Sequence, residues 1–171
     1  MASAIAIADA QQQYLGTHDI GALSIRAWWS GDYELLNLEL SGVLSARGCA
    51  EVLAFAAGID ALRPYAVVVT DARRALVCVS AEELSTTSTS AMRAKPWRPG
   101  AFIVSPENEE EVGRICERMA EFGIERRVFT NPREALVWAR RMASRPRGQK
   151  VRAAAVAHVD GRAASDARRR A

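Results

Sequence analysis

The chain has 171 residues, 49% of them hydrophobic, which is the size of one domain with ample material for a core and excludes global disorder. The formal charge of +3 is uneven: residues 144–171 carry 8 Arg or Lys against 2 Asp or Glu, net +6, and residues 1–143 carry net −3. The basic character therefore belongs to the C-terminal end and does not mark the body as a specific nucleic-acid binder.

Residues 1–20 are weakly patterned and are expected to form a flexible lead-in. From Gly21 to Trp29, Leu23, Ile25 and Ala27 alternate with Ser24, Arg26 and Trp28, which predicts a strand. Ser30-Gly31-Asp32 reads as a turn, and Tyr33 to Ser41 alternates again with Leu36, Leu38 and Leu40 facing inward, completing a hairpin. Gly42 is expected to break that strand and Ser45 to cap a helix whose apolar stripe is Cys49, Val52, Leu53, Ala56, Ile59 and Leu62. Pro64 ends the helix. Tyr65 to Thr70 is a β-branched run without polar alternation, the pattern of a strand buried on both faces, and Asp71 is expected to close it.

A loop is expected over 72–79. Ser80-Ala81-Glu82-Glu83 has the spacing of a capping box and predicts a helix start. The Ser/Thr run from Ser85 to Ser90 reads as a solvated helix face, with phosphorylation the minority reading. Pro96 and Pro99 end this helix. Ala101 to Val104 is a further buried strand. Glu107 to Phe122 is the clearest helix, with acidic residues in its first turns and a stripe of Val112, Ile115, Cys116, Met119 and Phe122; Gly123 suits its C-terminal cap. Ile124 to Thr130 is a short strand, and Asn131-Pro132 opens the last helix, with Ala135, Trp138, Ala139 and Met142 inward. The order β-β-α-β-α-β-α-β-α predicts an α/β fold with a mixed, mostly parallel sheet and helices packed against it. Residues 144–171 lack an apolar stripe of useful length and are expected to be disordered or loosely helical, and dispensable for folding.

Local strings in this order resemble the STAS domain, as found in stand-alone bacterial anti-sigma-factor antagonists. Leu38-Glu39-Leu40-Ser41-Gly42-Val43-Leu44 is similar to the family's second strand and its Gly-x-Leu. Val67-Val68-Val69-Thr70-Asp71 is similar to the strand before its switch loop, and Arg127 to Trp138 to its closing strand and helix. The resemblance covers residues 21–143. It implies a non-enzymatic regulatory module that docks a protein partner, such as an anti-sigma factor or kinase, through the loop and helix after the third strand. The family's Asp-Ser-Ser-Gly element falls on Val79-Ser80-Ala81-Glu82, where only the first serine is shared. Within that element Ser80 is then the candidate for phosphorylation, beside its reading as a helix cap. Some relatives are thought to carry a small ligand instead, a lipid or a nucleotide, and that alternative stays open, as does a homodimer.

The candidate binding residues are Asp71, Arg73, Arg74, Ser80 and Trp97. Asp71 lies where α/β sheets bind ligands, at a strand's C-terminal end, but the favoured reading is a turn carboxylate paired with Arg73 or Arg74. Trp97, between Pro96 and Arg98, reads as a partly exposed contact. No catalytic constellation emerges: His18 and His158 lie in the expected flexible ends, and no Gly-rich phosphate loop occurs. A response-regulator receiver needs a lysine at its last strand, and the body's one lysine is Lys95, in a predicted helix. Cys49, Cys78 and Cys116 are far apart without a CxxC pair, so core roles are expected rather than zinc, disulfides or nucleophiles. No cofactor and no metal is expected. The start, MASAIAIADAQQQ, lacks a basic region and is broken by Asp9, unlike a signal peptide, and no apolar stretch approaches a membrane span of ~18 residues, so a cytoplasmic location is expected.

Overall fold

The computed structural model describes residues 12–62, 67–80, 82–84 and 99–145. Trp97, the 85–90 run, Lys95 and all but two residues of the basic C-terminal segment lie outside them. The described residues form an α/β fold with one six-stranded sheet. Its strands are β1 (Gln12–Ile20), β2 (Leu23–Ser30), β3 (Leu35–Ser45), β4 (Val67–Cys78), β5 (Gly100–Ile103) and β6 (Arg126–Phe129). The helices are α1 (Ala46–Leu62), α2 (Glu109–Ala120) and α3 (Pro132–Ala143), with a helical turn at 82–84. Strands neighbour one another in chain order; β1, β2 and β3 pair antiparallel, and β3 to β6 pair parallel.

That order decides where the helices go. Successive parallel strands step in one direction, and right-handed crossovers then place every connecting helix on the same face of the sheet. One core accordingly joins Ile25, Leu36, Leu38, Leu40 and Val68 of the sheet to Val52 and Leu53 of α1, Ile115 and Met119 of α2, and Leu84. No strand follows α3 among the described residues, so that constraint does not apply to it, and it packs on the opposite face. There Ala135, Ala139 and Met142 cover Leu35, Val67, Val69, Ala101 and Ile103. The continuous Val67-Val68-Val69 run is needed because this part of β4 is buried from both sides.

Three expectations are corrected. Residues 12–20 are not a lead-in: they form β1, the outer strand of the sheet, and a bulge between Tyr14 and Gly16 shifts their alternation. His18 therefore sits on a strand, its ring stacked on Phe55 with centroids 5.4 Å apart. Gly42 does not break β3, and Asp71 does not close β4. Both strands run on side by side to Ser45 and Cys78, because Leu44, Ala72 and Ala75 keep pointing into the first core while Val43, Arg74 and Leu76 point out. The caps fall where the sequence puts them. Ser45 Oγ accepts from Gly48 N at 3.2 Å, and Asn131 Oδ1 accepts from Arg133 N at 3.0 Å.

Gly42 stays in the strand because only glycine fits there. Its φ is +94°, and an added Cβ would lie 2.0 Å from the Ala22 carbonyl oxygen, which accepts from Val43 N at 2.9 Å. Gly42→Ala is expected to destabilise the fold by more than about 2 kcal/mol, combining left-handed strain with a backbone clash. Gly113, inside α2 with open space at its Cβ, gives the opposite sign: Gly113→Ala is expected to stabilise by about 0.5–1 kcal/mol. Urea denaturation of the two variants beside the parent reads both.

Candidate functional site

The part of the molecule that holds most of the candidate residues is the far half of β4. Its first half is sandwiched between helices, and its ladder with β5 ends at Asp71 opposite Ile103. Beyond Asp71, β4 pairs only with β3 among the described residues. A bulge opposite Glu39 and Ser41 inserts one extra residue there, which lets both Arg73 and Arg74 reach ion-pair partners on the sheet's second face.

Asp71 and Arg73 form a closed pair. The Asp71 carboxylate accepts from Arg73 Nε at 3.0 Å, from its Nη2 at 2.7 Å and from its backbone N at 3.2 Å. The hydrogen bond to Asp71 raises the Arg73 pKa above its usual value, outweighing partial desolvation. Asp71 thus has the arginine-paired role anticipated for a turn carboxylate, but within a strand. Arg74 does not join it. Its Nη1 donates to Glu39 Oε1 at 2.9 Å, and the same oxygen accepts from Arg26 Nη2 at 3.0 Å. Exposed pairs of this kind contribute at most about 1 kcal/mol each, so their effect is to fix side-chain positions more than to stabilise the fold. Arg26 also lies over Trp28, 5.9 Å from the ring centroid, and Tyr14 meets Trp28 at 6.3 Å and 58°.

Ser80 belongs to a different feature. It and Glu83 form a reciprocal capping box: Glu83 N donates to Ser80 Oγ at 3.2 Å, and Ser80 N donates to Glu83 Oε2 at 2.9 Å. Leu84 N donates to the Ser80 carbonyl at 3.0 Å, and the Leu84 side chain is fully buried in the first core. Of the five candidates, then, Asp71, Arg73 and Arg74 share one sheet face, Ser80 starts the helical turn beyond it, and Trp97 lies outside the described residues. Sequence reading missed Arg26, Glu39, Tyr14 and Trp28 as members of this surface. For Arg26, Glu39 and Trp28 the signal was present, since they occupy the polar-side positions of two strands predicted to pair. Tyr14 gave none, because the bulge hides the alternation of β1.

On the other face an apolar cleft lies between α1, α2 and the sheet, lined by Leu40, Leu44, Val52, Phe102, Ile115 and Met119 among others. Cys49 also borders it. Cys49 and Cys116 are buried, and burial pushes each thiol up to about 12. Cys78 departs from its expected core role and is exposed at the end of β4. Among the described residues no group of three or more His, Cys, Asp or Glu side chains could hold a metal ion, and no helix is long and apolar enough to cross a membrane. No protein-family model and no curated protein matches the chain.

The thiols give a pH dependence with a definite sign. In the unfolded chain Cys49 and Cys116 ionise near pH ~8.5, whereas in the fold they stay protonated until about 12. Their stabilising contribution is complete below the unfolded value and is lost as pH rises through the window between the two. Stability is expected to fall above pH ~8.5 with a limiting slope of about 1.4 kcal/mol per pH unit for each thiol. Cys49→Ala or Cys116→Ala should remove about half of the combined slope, read from urea midpoints across the alkaline range. In the native protein at neutral pH a thiol reagent should modify Cys78 rapidly and the two buried thiols only on unfolding.

Proposed function

We propose that this chain is a regulatory binding module of the STAS-like type, without catalytic activity of its own. It docks a protein partner through the projecting half of β4 and the helix start that Ser80 caps. The observation that carries this reading is that β4 outruns β5. Backbone groups beyond Asp71 have no neighbouring strand on that side among the described residues, and an open strand edge is a ready site for an added strand or loop. Arg73 and Arg74 stand beside that edge with their guanidinium groups held in place by Asp71 and Glu39, and ordered arginines are frequent anchors in protein interfaces. The β-β-α-β order and the strings that resemble the STAS family support the same reading. An anti-sigma factor or kinase is the class of partner this resemblance implies.

A second reading has its own observation. The cleft between α1, α2 and the sheet is lined by apolar side chains alone but encloses only about 40 Å³, so a lipid-like ligand would have to part the helices to enter. Native mass spectrometry of the chain purified from its own cells separates the two. A stoichiometric protein that is lost in Arg73→Glu, with the thermal midpoint retained, supports the partner reading. A small apolar molecule bound to a single chain, unaffected by Arg73→Glu, supports the other.

Ser80 divides a cap from a switch. As a cap, Ser80→Ala is expected to cost about 1 kcal/mol and Ser80→Asp little, since aspartate caps equally well. As a phosphoacceptor, Ser80→Asp would abolish partner binding at unchanged stability while Ser80→Ala would keep it. The reciprocal bonds with Glu83 favour the cap. Phosphate found on Ser80 by mass spectrometry of the native protein would overturn that choice.

A further inference from the structure

Among the described residues the second face of the sheet is only half covered. Helix α3 lies over the start of β3 at Leu35 and over β4, β5 and β6, and no described element covers the same face across β1, β2, the rest of β3 and the far half of β4. Of the four large hydrophobic side chains that stand exposed among the described residues, three lie on this open plate: Tyr14 at 56%, Val43 at 37% and Leu76 at 63%. They share one face by register. Tyr14 pairs with Trp28 across β1 and β2, Trp28 with Asn37 across β2 and β3, and Val43 with Leu76 across β3 and β4. The half-buried Trp28 adds a fourth apolar group.

We infer that this plate binds a second copy of the chain, face to face about a two-fold axis. Charge selects that occupant. The plate carries Arg26, Arg73 and Arg74 against Asp19, Glu39 and Asp71, so it is balanced and offers no net field to a strongly acidic or basic partner. An isologous interface sets a face against itself, and here Arg73 with Asp71, and Arg26 and Arg74 with Glu39, are already paired within each copy, so the two faces meet without a surplus of either sign. Composition agrees, because Trp, Tyr and Arg are the residue types enriched in interface centres. So does size. Strands β1, β2 and β3 are 9, 8 and 11 residues long, and the far half of β4, from Ala72 to Cys78, adds seven. At about 4.8 Å between strands they outline on the order of 500 Å² before side-chain relief is counted, the lower end of a specific interface. Aligned packing of two sheets with interdigitating side chains is a standard arrangement for such faces. The inference goes beyond the partner reading; the two surfaces share Arg73 and Arg74, and sedimentation of the purified chain alone reads the dimer without the partner.

Sedimentation velocity of the full chain over a hundredfold range of concentration tests it. The expected result is a species of twice the 18.6 kDa chain mass at the upper end. Leu76→Arg and Tyr14→Ala, both exposed positions, are each expected to weaken the dimer at least tenfold with the thermal midpoint retained. Val137→Arg, on the solvent side of α3 at 58% exposure, should leave it unchanged. A single chain throughout the range overturns the inference. So does a dimer that ignores Leu76→Arg and Tyr14→Ala, or one that dissociates in Val137→Arg alone. A single chain whose plate gains hydrogen-exchange protection only with a copurified protein or nucleic acid assigns the plate to that occupant instead.

Discussion

The parallel ladder between β3 and β4 joins the two halves of the molecule. Leu35 to Glu39 lie beside Val67 to Asp71 in strict register, and after the bulge Ser41 to Ser45 lie beside Arg74 to Cys78. Both cores are built across it. Leu36, Leu38 and Val68 face α1 and α2, while Leu35, Val67 and Val69 face α3. Side chains on a strand alternate, so a slip of one residue in this pairing would exchange the two apolar sets and leave charged side chains under the helices. Without the ladder, the antiparallel strands β1 to β3 would lose their attachment to the parallel part.

Beyond the bulge the same ladder changes character. Its inward positions remain apolar and small, with Ala72 and Ala75 buried, while its outward positions become Arg74 and Leu76. A strand that is hydrophobic on both faces at its start and amphipathic at its end passes from beneath a helix into the open. The ion pairs there add little stability, but they hold three arginines and two carboxylates in fixed places on an otherwise flat surface. The chemical features of the protein thus concentrate where the sheet outlasts its helical cover.

How far the sequence disclosed this depends on the kind of signal involved. Periodicity disclosed β2, β3, α2 and α3, because each buries a continuous stripe whose spacing survives in the letters. The capping residues Ser45, Ser80 and Asn131 were legible for a local reason: the bonds they make span two or three residues. The lengths of β3 and β4 were not legible. A glycine usually ends a strand, and the use of Gly42 to pass close to the Ala22 carbonyl depends on β2, a neighbour reached only through the fold. β1 was hidden by its bulge, and Cys78 was misplaced because the strand end that exposes it was expected to be a loop. The surface around Asp71 was found in part. Its arginines on β4 were legible from their nearness in the chain, whereas Glu39 and Arg26 join them through two sheet pairings that are separate in sequence.

The order of the strands has a consequence for how the chain is made. Each strand from β2 onward lies against the one immediately before it in sequence, so during synthesis every new strand meets a neighbour that has already emerged. No strand must be inserted between two others, and no earlier pair has to open. The antiparallel strands β1 to β3 come first, with short connections that favour rapid closure, and the slower parallel pairings are then added one at a time to a growing edge. The topology lets the sheet grow from the N-terminus in the direction of translation.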